Sequence, residues 1–88
     1  MNIIRKHPVE AGGINRLRFA KGAEVLCFAP DPTGTPCVWE SSDTEATETE
    51  PRTFLLVGAS HPYDATGAEY VGTGFVGLLV LHLFEVEQ

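Results

Sequence analysis

Residues 72–86 read Gly72-Thr73-Gly74-Phe75-Val76-Gly77-Leu78-Leu79-Val80-Leu81-His82-Leu83-Phe84-Glu85-Val86, and this stretch decides the fold class. Its first six residues match G-x-G-x-x-G, the pattern with which a dinucleotide-binding unit turns from strand into helix. Here the glycines lead into a strand instead. In an extended chain Leu78, Val80, His82, Phe84 and Val86 fall on one face, and Leu79, Leu81 and Leu83 on the other. The glycines therefore read as a hairpin or bulge, a place where backbone can be closely approached, and not as a phosphate loop.

A strand that is apolar on both faces needs cover on both. Loops folded over a central strand would supply it, and so would a second copy of the chain. An 88-residue chain hides only about two-thirds of its unfolded surface and has one thin core. Self-association through Leu78–Val86 is accordingly the expectation.

Working outward, short runs rich in Val, Leu, Ile, Thr and aromatics alternate with Gly, Pro and Asp. Strands are expected at Asn2–Val9, Ile14–Phe19, Glu24–Ala29, Pro36–Ser41, Arg52–Ala59 and Glu69–Thr73, followed by Leu78–Val86. No segment carries a sustained 3.6-residue apolar period with caps. The expected fold is all-β: one domain over residues 1–88, a small antiparallel β-barrel or β-sandwich of six to seven strands. Ser42–Glu50 holds only Ser, Thr, Asp, Glu and one Ala, which predicts a solvated, mobile acidic loop. A hairpin centred on Pro32-Thr33 would set Cys27 opposite Val38 and Cys37 opposite Phe28. That offset disfavours a disulfide and leaves two reduced thiols.

Charge is unevenly spread. Residues 1–30 hold Arg5, Lys6, Arg16, Arg18 and Lys21 against two acids, a net of +3, and the other 58 residues have a net of −9. The overall charge of −6 argues against a nucleic-acid surface, which needs a broad basic face. The opening Met-Asn-Ile-Ile-Arg-Lys is not a secretory leader, and no apolar run is long enough to span a bilayer, so a cytoplasmic location is expected. Arg16 and Arg18 share one side of a strand, as do Arg5 and His7. Were the first two strands to pair, a guanidinium cluster would result, suited to bidentate grip on phosphate. The competing reading is a surface face balanced by the acidic loop.

Among other candidates, His61 stands before Pro62 in a polar loop and fits a ligand contact, whereas His82 between two leucines fits a core residue. Trp39 and Tyr70 offer rings for stacking, and Thr73 a hydroxyl. No histidine lies in a metal-ligand spacing, and Ser60, His61 and Asp64 do not form a triad. No catalytic residue, metal or cofactor is therefore expected, and the enzyme class has the least support.

Nearly end to end, the chain resembles a family of small uncharacterised proteins of bacteriophages and prophages. The likeness rests on Ile4-Arg-Lys6-His-Pro8, Lys21-Gly22-Ala23, Gly34-Thr35-Pro36-Cys37-Val-Trp39, Arg52-Thr53-Phe54, Gly58-Ala-Ser-His61-Pro62, Glu69-Tyr70-Val-Gly72-Thr73 and His82-Leu-Phe84-Glu85. That resemblance implies a setting in a host bacterial cell, and no activity. The expectation is a non-enzymatic, homo-oligomeric binding protein that sequesters a small phosphate-bearing ligand, such as a nucleotide signal of antiviral defence. Arg5, Arg16 and Arg18 would hold phosphate, His61 and Thr73 would donate hydrogen bonds, and Trp39 or Tyr70 would stack on a base. The alternatives are a protein–protein module that blocks a host protein through the acidic loop, and a minor virion protein.

Overall fold

The three glycines of residues 72–77 divide two steric tasks among them. A computed structural model describes residues 1–10 and 12–87. It contains β1 (Asn2–Pro8), β2 (Gly13–Ala20), β3 (Glu24–Pro30), β4 (Pro36–Asp43), β5 (Thr49–Gly58), β6 (Ala68–Val76) and β7 (Leu79–Val86). Val76 pairs with Leu79, so a two-residue turn joins β6 to β7. Gly77 takes the first turn position with φ 59°, as type II′ hairpins require there. Gly72 and Gly74 instead leave room for Phe28 of β3. A Cβ on Gly72 would lie 3.4 Å from Phe28 Cβ, and one on Gly74 would lie 3.0 Å from its ring. The motif lets one strand lie close under another.

All strand pairs are antiparallel, and no helix occurs among the described residues. A three-stranded sheet has the order β1-β4-β3, and a four-stranded sheet the order β2-β5-β7-β6. The all-β expectation holds, and of its two forms the structure takes the two-sheet arrangement, with no closed barrel. β3 packs across onto β6. Fully buried Phe19, Phe54, Leu83 and Val38 form the centre of the core, with Val9, Phe28, Leu56 and Leu81 around them. Among the described residues, no helix is long and apolar enough to cross a membrane.

Three local expectations are corrected. The first two strands do not pair, because β1 belongs to the three-stranded sheet and β2 to the four-stranded one. Gly12 and Gly13, at φ 104° and 142°, lie at the entry to β2, where the chain passes from one sheet to the other. The β3–β4 register differs by one residue: Phe28 faces Val38 and Cys27 faces Trp39. The connecting loop is Asp31–Thr35, longer than the expected tight turn. The Asp31 carboxylate closes it by accepting from Thr33 N at 2.9 Å and Thr35 N at 3.1 Å. Lys6 Nζ lies 2.7 Å from the same carboxylate and, with Thr33, holds its pKa well below the usual range. Both thiols are free, Cys27 exposed and Cys37 buried.

The third correction concerns the acidic segment. β4 runs on to Asp43 and β5 begins at Thr49, so residues 44–48 alone remain as loop. Polar residues extend these strands because they find partners on the inner side of the sheets. Ser42 is buried and accepts from Arg5 Nη1 at 3.3 Å. Arg52 forms a bidentate pair with Glu85, donates from Nη1 to Ala23 O at 2.9 Å, and lies over the Phe19 ring. Glu40, fully buried, holds His7 Nε2 at 3.3 Å, while its Oε2 has no hydrogen-bond partner among the described residues.

Candidate functional site

Side-chain alternation gives β7 two unlike faces. Leu81 and Leu83 enter the core, while Val80, His82, Phe84 and Val86 are half-buried on the outside of the four-stranded sheet. The registers assemble rows across that outer face. Ile14, Leu55, Phe84 and Tyr70 form one row, Val57, His82 and Thr73 the next, and Arg16, Thr53, Val86 and Ala68 lie on the other side. Ile14 and Tyr70 are both more than half exposed. Such an apolar, partly wet sheet face is the form a binding surface takes.

The β5–β6 loop, residues 59–67, supplies partial cover. Tyr63 stacks on Phe84 with ring centroids 4.7 Å apart, and Tyr70 meets Phe84 edge-on at 5.6 Å. This geometry suits the opposed quadrupoles of aromatic rings. The loop is set at its start by a turn in which His61 N donates to Gly58 O. The His61 ring lies so close that a Cβ on Gly58 would stand 2.9 Å from Nδ1. Further along, the Asp64 carboxylate accepts from Thr66 N at 2.9 Å, which lowers its pKa.

Tyr63 contributes to two cavities. One is an open groove of about 660 Å³, lined by Ile14, Leu55, Val57 and Val86 of the outer face, by His61, Pro62, Tyr63 and Asp64 of the loop, and by Leu56, Leu79 and Leu81. The other is a recess of about 290 Å³ lined by Ser60, His61, Tyr63, His82 and Phe84 over Val57. A hydrogen-bonded chain borders the recess: Tyr70 Oη meets Thr73 Oγ1, which lies 2.8 Å from His82 Nδ1. Among the described residues, no group of three or more His, Cys, Asp or Glu is placed to hold a metal ion.

The sequence candidates divide between the sheets. Tyr70 and Thr73 lie on this outer face, with His61 in the loop above it. Arg16 and Arg18 extend from the same face at its β2 edge. Arg18 Nε donates to Thr49 Oγ1 at 3.1 Å, whereas Arg16 makes no hydrogen bond or ion pair to any described residue. Arg5 and Trp39 lie on the other sheet. Arg5 is bound to Ser42, and the Trp39 indole donates to Ala29 O at 3.0 Å. The structure thus keeps Arg5 from joining Arg16 and Arg18.

Four contributors were missed: Ser60, Tyr63, His82 and Phe84. Once Gly77-Leu78 is read as a two-residue turn, pairing of Thr73 with His82 follows by counting back. No sequence signal places Tyr63 over Phe84.

The family described as Domain of unknown function (DUF7352) matches residues 1–88. The chain belongs to this family. The match covers the whole sandwich and every residue of the outer-face site. No curated protein and no solved structure matches the chain.

Proposed function

We propose that this member of the DUF7352 family is a non-enzymatic binding protein whose ligand lies along the outer face of the four-stranded sheet. The observation that carries the reading is a largely apolar groove with a guanidinium, Arg16, that has no hydrogen bond or ion pair to any described residue, in the row beside it. A ligand with a planar apolar body and an anionic end matches that combination. The body would displace water from Ile14, Leu55 and Tyr63. The anion would meet Arg16, with Arg18 two residues along on the same side. A phosphate-bearing small molecule of nucleotide type fits this description.

The resemblance to phage and prophage proteins gives the reading a setting, sequestration of a nucleotide immune signal in the cytoplasm of a host bacterium. A second copy of the chain, meeting the first through the outer side of Leu78–Val86, would deepen the open groove into a closed pocket. A protein partner is a second reading, favoured by the exposed β6–β7 hairpin tip, where Phe75, Leu78 and Leu79 all face solvent.

The test is thermal unfolding against a panel of mono-, di- and cyclic nucleotides. A bound nucleotide at 100 times its Kd stabilises by about 2.7 kcal/mol, a shift of many degrees in a domain this small. No shift from any nucleotide at millimolar concentration would sink the reading.

A further inference from the structure

The recess beside Tyr63 shares Val57, His61 and Tyr63 with the groove but differs in the rest of its lining. Ser60 adds an aliphatic hydroxyl, His82 a second imidazole and Phe84 a ring. His82 Nδ1 is engaged by Thr73, so Nε2 is the nitrogen left for another partner. The chain to Tyr70 can run in either sense. If Tyr70 donates to Thr73 and Thr73 to Nδ1, His82 carries its proton on Nε2 and offers a donor. If the order reverses, Nε2 offers an acceptor. One site can therefore match either kind of hydrogen-bonding edge.

Ser60 adds a second observation. It occupies the third position of the Gly58–His61 turn with φ 70°, where this kind of turn favours glycine. It is the single non-glycine residue with positive φ among the described residues. A serine held in a strained backbone, among the residues that line a recess, points to a hydroxyl that has a use.

We propose that the Ser60–His61–His82 recess is a recognition subsite for the hydrogen-bonding edge of a planar heterocycle. At about 290 Å³ it sits at the lower limit of small-molecule sites and takes one ring, not a whole ligand. The inference rests on the outer face being a ligand site, and it assigns the end of the ligand remote from Arg16.

The probes are adenosine, guanosine, cytidine and uridine, each titrated to millimolar concentration while amide and imidazole resonances are followed. At least one nucleoside is expected to shift Ser60, His61, Thr73 and His82 together. Ser60→Gly removes the strain with the hydroxyl, so its Tm is expected to be unchanged or a few degrees higher, with nucleoside affinity at least fivefold weaker. Thr73→Val, which cuts the chain at constant shape, is expected to weaken binding similarly. Silence at these resonances with all four nucleosides overturns the proposal, and so does Ser60→Gly binding as tightly as the parent. Titration with the matching 5′-monophosphates separates the two readings. Nucleoside binding with no gain from phosphate keeps the recess and removes the anion site, whereas gain at Arg16 with a silent recess does the reverse.

Discussion

Arg52 and Arg16 stand on neighbouring strands of one sheet and point to opposite sides of it, and the structure treats them in opposite ways. Arg52 spends its donors on Glu85 and on the carbonyl of Ala23, and its guanidinium carbon sits 5.4 Å from the centre of the Phe19 ring. Its side chain is about one-fifth exposed, and the paired Glu85 raises its pKa. Arg16 has none of these partners. A buried charge left unpaired costs several kcal/mol, so the interior must satisfy its cation. An exposed cation carries no such penalty and stays available. The inner side of the sheet is where charge holds the fold, and the outer side is where Arg16 is left without a hydrogen bond or ion pair to any described residue.

The largest effect expected from breaking this contrast is on Arg52. Arg52→Ala strands Glu85 and the Ala23 carbonyl at the sheet interface. Charge-assisted bonds are worth about 1.5–3 kcal/mol each, and partial exposure discounts the sum over the Glu85 pair and Ala23 O to a loss of about 2–3 kcal/mol. Urea denaturation checks it. A midpoint within error of the parent would show that the pair is ornamental. Arg52→Lys should recover little, because an ammonium cannot form the bidentate contact.

A somewhat smaller loss is expected where the inner side is closed by absence of a side chain. Gly74→Ala places a methyl 3.0 Å from the Phe28 ring, which must shift against a packed core. Overpacking of this kind costs about 1–3 kcal/mol. The same change at Gly77 meets no atom, yet φ 59° makes it strained for another reason. Thermal melts of the two variants, together with Phe28→Leu in the Gly74→Ala background, separate the causes. Phe28→Leu should relieve Gly74→Ala in part and leave Gly77→Ala unaffected.

These glycines also show what could be read from sequence. A strand in place of a helix after the glycines was sufficient to reject the dinucleotide motif, and short β-rich runs between turn residues to predict an all-β chain, because both are local properties. The sheet to which each strand belongs is not local. Nothing in Arg5-Lys6-His7 announces that its partner is Pro36–Asp43 and not Gly13–Ala20. The same limit hid the acidic strand ends. Ser42 and Glu50 look like loop residues until Arg5 and Arg52 are placed near them. For the site, Tyr70 and Thr73 were legible as exposed polar-aromatic residues of a strand. Tyr63 and His82 were not, since one depends on where a loop folds and the other on which side of β7 faces out.

The smallest effect on stability is expected at Arg16, and there the comparison is sharpest. Arg16→Ala removes no hydrogen bond or ion pair to the described residues, so its unfolding midpoint should stay within about 0.5 kcal/mol of the parent. Ligand binding should respond quite differently. If a phosphate meets this guanidinium, its loss removes a charge-assisted contact of about 1.5–3 kcal/mol, a drop in affinity of tenfold or more. Arg18→Ala makes the control on the same strand, because Arg18 already donates to Thr49 and should lose a little stability along with any affinity. Calorimetric titration of both variants with the nucleotide that gives the largest thermal shift measures the two effects together. Equal affinity for Arg16→Ala and the parent would mean that the free cation of the outer face is solvated surface charge, and that the groove binds through its apolar walls alone.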